Sequence, residues 1–149
     1  MDELFNVVQL ILAIILGGML GWQRERVGKP AGVRTHSLVT AGSTLFTVLS
    51  VHAFNSSDPA RVAAQVIVGI GFIGAGTIIH REDRIEGLTT AAGLWMAAAI
   101  GMAIGTERYI LACSGTLLIL LVLLIDDSRF RKKLPDALPT PKTPKQNRS

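Results

Sequence analysis

Residues 58–80, DPARVAAQVIVGIGFIGAGTIIH, lead through a charged turn, REDRIEG at 81–87, into LTTAAGLWMAAAIGMAIG at 88–105. Each apolar run is long enough for a bilayer crossing, which takes about 20 residues of helix. Both runs are rich in small residues. Gly weakens a helix in water, but in lipid the backbone must satisfy its own hydrogen bonds, so the helix persists and Gly lets a neighbour approach closely. Two packed transmembrane helices are expected, with the glycines at contacts. At about 100° per residue, Arg61, Gln65, Gly69 and Gly76 fall on one side of the first helix and Ala64, Gly71, Gly74 and Ala75 on the other, which predicts a central position for it. The second helix carries Gly93, Ala97, Gly101 and Gly105 at four-residue spacing, a ridge on which another helix can seat.

The letters GIGFIGAG at 69–76 also satisfy G-x-G-x-x-G. A dinucleotide site needs a strand before that motif, a helix opening after it and an acid about 20 positions on. Here the glycines lie in the middle of an apolar run, and Thr89 and Thr90 stand where the acid belongs. The motif does not indicate a nucleotide.

Outward from this stretch, residues 1–22 begin with Asp2 and Glu3 and continue as an apolar run ending in Gly17, Gly21 and Trp22. A cleavable signal would open on positive residues, so a retained first helix is expected. Gln9 is expected to make a helix–helix hydrogen bond. The next segment, QRERVGKPAGVRTH, is a basic loop with Arg24, Arg26, Lys29 and Arg34 against Glu25, broken by Gly28, Pro30 and Gly32. In residues 37–54, Thr40, Ser43, Thr44, Thr47 and Ser50 recur as a hydroxyl stripe. Such a stripe can line a polar path; the plainer alternative is bonding to its own backbone or to a neighbouring helix. Asp58 can cap the third helix with Pro59 following. Arg61 and Gln65 then need partners, Asp58 being nearest to Arg61. Trp95 falls mid-span, where its indole N–H needs a buried partner. Residues 109–125 are Leu- and Ile-rich all round, as in a peripheral helix facing lipid.

The fold expected is all-α: a polytopic integral membrane protein with five transmembrane helices, one transmembrane domain over 1–127 and a disordered basic Pro-rich cytoplasmic tail over 128–149. The net charge of +4 comes from basic residues flanking apolar spans, as orientation signals do, and not from a nucleic-acid surface. With alternate loops assigned by their Lys and Arg content, the N-terminus is outside and the C-terminus inside. The single Cys113 permits no intrachain disulfide and no cysteine metal cluster. No nucleophile–base pair, HExxH or zinc-ligand spacing appears, so neither an enzyme nor a cofactor is indicated.

The blocks GGMLGWQRE, KPAGVRTHSLVTAGSTLF, DPARVAAQVIVGIGFIGAG and GLTTAAGLWMAAAIGMAIG resemble, in order, the signature blocks of the MgtC/SapB family, over residues 17–105. The resemblance implies a multi-pass protein of the bacterial inner membrane, associated with magnesium-limited growth, stress and survival inside host cells. It implies a restraint on other membrane proteins, such as the rotary ATP synthase. Membrane lipid and further copies of the chain are also expected as partners. A magnesium transporter or channel using the hydroxyl stripe with Gln65 is the rival reading. The family pattern falls on Glu25, Lys29, Pro30, Arg34, Thr35 and His36, on Asp58, Pro59, Arg61 and Gln65, on Gly69, Gly71, Gly74 and Gly76, and on Gly87, Leu88, Thr89, Thr90 and Trp95. Longer members continue into a soluble ACT-like domain, whereas a short tail is expected here, so roles that depend on that domain are not carried over.

Overall fold

The computed structural model describes residues 3–52, 58, 60–82 and 85–130, the last five by backbone alone. Of the expected Pro-rich tail over 128–149, the first three residues belong to the last helix and the rest lie outside the described residues, as do most of the turn before Asp58 and two residues of the charged turn. Among the described residues five helices follow one another: α1 (Glu3–Arg26), α2 (Val33–His52), α3 (Ala60–Ala75), α4 (Leu88–Gly105) and α5 (Tyr109–Phe130). Between α3 and α4 a small antiparallel hairpin pairs β1 (Ile79–His80) with β2 (Ile85–Glu86), Ile79 opposite Glu86 and His80 opposite Ile85. Arg81 and Glu86 form an ion pair across it at 3.4 Å. Among the described residues the elements are helical apart from this hairpin, which takes up Ile79 and His80 from the end of the expected helical run and part of the charged turn.

Local chemistry sets the helix ends. Lys29 N–H donates to Arg24 O and Gly28 N–H to Glu25 O, both at 3.0 Å, with Gly28 at φ 68°. This is the left-handed stop for which Gly is suited, since it has no Cβ to clash. The same pair of bonds ends α4, from Arg108 to Ala103 and from Glu107 to Ile104, but Glu107 occupies the left-handed position at φ 63°. Asp58 Oδ1 accepts the N–H of Ala60 at 3.0 Å, the capping bond expected at the start of α3.

Helix α4 packs against all four other helices, and α2 lies between α1 and α4. One core cluster joins Ala13, Leu16 and Leu20 of α1 to Ala97, Ile100 and Ile104 of α4 and Ala112 of α5. A smaller one joins Ile70 of α3 to Leu94 and Ala98 of α4. The exterior is apolar: Ile110 is 88% exposed and Phe72 86%.

The expected central position of α3 is not what the structure has. Among its residues only Ile70 and Gly74 are buried. A Cβ placed on Gly69 or Gly71 would meet nothing within 4 Å, one on Gly76 would approach only the carbonyls of the preceding turn, and one on Gly74 would make ordinary contact with Ala91. Small residues permit close approach but do not require it, and α2 rather than α3 occupies the seat on α4. Helix α3 does pack on α4, as expected, but as an outer layer.

Candidate functional site

The ridge of α4 receives the hydroxyl stripe of α2. A methyl group on Gly101 would collide with Thr40 O and stand 2.8 Å from Ser43 Cβ, and one on Gly105 would stand 2.7 Å from Thr47 Cβ. Ala97 is fully buried on the same ridge, and Gly93 faces the imidazole of His36. The hydroxyls are engaged at this seam. Thr40 Oγ1 donates to His36 O, Thr47 Oγ1 to Ser43 O, and Thr44 Oγ1 lies 3.0 Å from Thr40 O and 2.9 Å from Gly101 O. Each hydroxyl has one proton, so Thr44 shares it between its own helix and α4. Thr40, Thr44 and Thr47 make the bonds of the plainer of the stripe's two readings, and Gln65 is exposed on α3.

On its other side α2 meets α1 through a second pair of glycines. A Cβ on Gly17 would stand 2.5 Å from Thr40 Oγ1 and 2.7 Å from His36 O, and one on Gly21 would stand 2.5 Å from Gly32 O. Ser37 Oγ donates to Ile14 O across the same contact at 3.0 Å. Two close seams therefore converge on α2.

They enclose a polar cluster where α1 stops and α2 and α4 start. Arg24 and His36 are buried, at 1% and 0% exposed, with Gln23 and Thr90 buried close in sequence to the same helix ends. His36 Nδ1 lies 3.2 Å from Gly32 O. A carbonyl only accepts, so Nδ1 carries a proton, and Nε2 faces Gly93 with no hydrogen-bond partner among the described residues. The Arg24 guanidinium is near enough to act on the imidazole electrostatically. Gln23 Nε2 reaches Leu123 O, tying α5 to this end at 3.4 Å. Glu25 caps α2 from the neighbouring helix: its Oε2 accepts the N–H of Val33 at 3.1 Å and occupies the space left by the missing side chain of Gly32. A carboxylate at a helix N-terminus meets the positive end of the helix dipole.

The candidate residues thus divide. Glu25, Lys29, Arg34, His36, Thr89 and Thr90 gather at this end, with Lys29, Arg34 and Thr89 exposed around buried His36 and Thr90. Asp58, Arg61 and Gln65 lie at the beginning of α3, toward the opposite end, all exposed. No ion pair joins Arg61 to Asp58 among the described residues; the contact between them is Arg61 N–H to Asp58 O at 3.4 Å. Trp95 is 48% exposed and borders a groove of about 140 Å³ with Ile67 and Ile70, rather than meeting a buried partner. Gln9 does make the expected helix–helix bonds, to Ile104 O at 3.2 Å and Tyr109 Oη at 2.8 Å. Arg26 stacks on Trp22 at 3.7 Å, an aromatic–cation pair suited to an interface. Among the described residues no group of three or more His, Cys, Asp or Glu is placed to hold a metal.

The buried Arg24 and Gln23 were not apparent as part of a site. The available signal is the spacing Gln9, Ala13, Leu16, Leu20, Arg24, which puts the guanidinium on the inner face of α1 at intervals of three and four. The run of basic residues around it masked that position.

An all-helical bundle with apolar side chains outward, polar ones at its helix seams and two helices, α1 and α4, long and apolar enough to cross a membrane has the build of a membrane protein. The chain belongs to the MgtC family, whose model matches residues 10–130. It is 48% identical over 125 residues to "Putative magnesium transporter YhiD" of Escherichia coli (strain K12), an alignment covering 78% of this chain and 58% of that protein. It is 40% identical over 129 residues to Protein SrpB of Synechococcus elongatus, covering 77% and 71%. To Protein MgtC of Salmonella typhimurium (strain LT2) it is 39% identical over 114 residues, covering 76% and 49%. The chain spans a little over half the length of the first of these relatives. No solved structure matches it.

Proposed function

We propose that the chain is a non-enzymatic, multi-pass protein of the bacterial inner membrane that regulates other membrane proteins under magnesium limitation or stress, the rotary ATP synthase being the partner implied by the family resemblance. In this reading all five helices cross the bilayer, with the N-terminus outside and the C-terminus inside. Support for five spans comes from the apolar exterior, which includes α3 and α5 although their described apolar stretches are short. Support for the orientation comes from Arg24, Arg26, Lys29 and Arg34 at one end of the bundle, as cytoplasmic loops favour Lys and Arg.

The observation that carries the regulatory reading is the seam between α2 and α4. Its hydroxyls bond to backbone carbonyls, and the described carboxylates, Glu3, Glu25, Asp58, Glu82, Glu86 and Glu107, all lie at or near helix ends or in the hairpin. Magnesium holds its water tightly and is usually bound through one or two carboxylates with waters or phosphates. The bonded hydroxyls of Thr40, Thr44 and Thr47 and the position of the described carboxylates favour the regulatory reading over a magnesium path along α2. The rival reading, a magnesium transporter, draws on the name of the Escherichia coli relative. It also has a groove of about 340 Å³ bordered by Thr47, Ser50, Ala63 and Thr106.

Reconstitution in liposomes loaded with a magnesium-sensitive dye separates the two. The purified chain alone is expected to give no saturable magnesium entry, while gentle cross-linking in native membranes is expected to capture a second membrane protein reproducibly. Saturable entry that Thr47→Val abolishes without loss of folding would establish transport instead.

A further inference from the structure

The outer face of α3 carries groups that do not suit hydrocarbon. Counting about 100° per residue from the cap Asp58 through α3 to Gly76 just after it, Asp58, Gln65, Gly69, Phe72 and Gly76 fall within about 40° of one line, and Arg61 about 60° from it. All six are exposed. An exposed guanidinium and amide within the first two turns of a membrane helix call for polar partners, because lipid tails offer none. Within the chain, Asp58 spends one acceptor on Ala60 N–H and makes no ion pair with Arg61.

We propose that this face of α3 is the interface between two copies of the chain, related by a two-fold axis along the membrane normal. The inference rests on α3 crossing the membrane. The patch is self-complementary, as a two-fold interface requires. Asp58 and Arg61 are about one turn apart, a rise of about 4.5 Å, so in a parallel pair the carboxylate of each copy comes within reach of the other copy's guanidinium. The two acids offset the repulsion between the two cations. One turn further on, the Gln65 amides can bond to each other, since an amide both donates and accepts. At Gly69 there is open space where a side chain would stand, which lets the two backbones approach. A lipid headgroup could neutralise Arg61 but would not account for the acid, the amide and the glycine along one line.

Cysteine cross-linking in native membranes tests this, using the full chain with Cys113→Ser as background, because Cys113 is exposed on α5. Oxidation of the Gly69→Cys variant, with Gln65→Cys as a second site, is expected to give a band at twice the mass of the chain. Leu118→Cys, 62% exposed on α5, is expected to give little. Adding Arg61→Asp should lower the Gly69→Cys cross-link about tenfold or more, as like charges then face one another. Equal cross-linking at Gly69 and Leu118, a band of another mass, or indifference to Arg61→Asp would overturn the interface. Extraction of the chain by alkaline carbonate would overturn the membrane reading and the proposal with it. A chain retained in the membrane without cross-links at Gly69 or Gln65 would overturn the proposal alone.

Discussion

Replacing Gly101 by Ala adds one methyl group at the tightest point between α4 and α2, and the same change at Gly71 adds it to open space. At Gly101 the new carbon meets the backbone carbonyl of Thr40 and the Cβ of Ser43, neither of which can swing away as the end of a long side chain would. The two helices must separate, and the bond from Thr44 Oγ1 to Gly101 O lengthens with them. Overpacking of a full site costs ~1–3 kcal/mol. Loss of one interhelical bond adds about 0.6 kcal/mol, and the better helix propensity of Ala returns about 1 kcal/mol. Gly101→Ala should therefore destabilise by roughly 0.6–2.6 kcal/mol. Gly71→Ala keeps only the propensity gain, up to about 1 kcal/mol in the stabilising direction. The pair shares its backbone chemistry, so the difference of roughly 1.6–3.6 kcal/mol isolates the contact. A reversible titration from mild detergent into SDS, followed by tryptophan fluorescence, measures both variants. Equal stability, or Gly101→Ala the more stable, would refute the seating of α2 on the α4 ridge.

Glu25→Ala removes the acceptor at the start of α2 and should lower stability by about 1 kcal/mol in the same titration. Glu25→Gln keeps an acceptor and gives up only the charge–dipole part, about 0.3–1 kcal/mol, so the two variants should rank in that order. For the orientation, cysteines at Ser57 and Ser128 in the Cys113→Ser background should react differently with an impermeant thiol reagent on intact cells: Ser57→Cys labels at once, and Ser128→Cys only after permeabilisation. The reverse pattern would contradict an outside N-terminus.

How much of this was legible depends on whether the cause was local. The stop at Gly28, the cap at Asp58, the five apolar helices and the small-residue ridge from Gly93 to Gly105 follow from side-chain size and backbone freedom within a few residues of each position. They can be read along the chain. Which helix sits on the ridge cannot, because a small-residue surface accepts any neighbour of fitting shape. Helices α2 and α3 were both eligible, and the bonds of Thr44 and the bulk of Thr40 and Thr47 against Gly101 and Gly105 belong to α2 alone.

The same limit governs the glycines and the charges. Gly101 and Gly71 are identical in sequence terms, yet one lies against a backbone carbonyl and the other faces open space. Arg24 carries the same charge as Arg34 ten residues on, but the end of α1 turns it inward beside His36 while the first turn of α2 turns Arg34 out. By itself the sequence determined the five helices and the faces able to approach closely, since those depend on each residue and its near neighbours, whereas the expected loop over 23–36 shrinks as α1 runs on to Arg26 and α2 starts at Val33, and α3 stops at Ala75 instead of continuing to 80. Tertiary structure alone decided which faces meet, that α3 is an outer helix and that Arg24 and His36 are shut inside, because each of these requires three helices to be placed together.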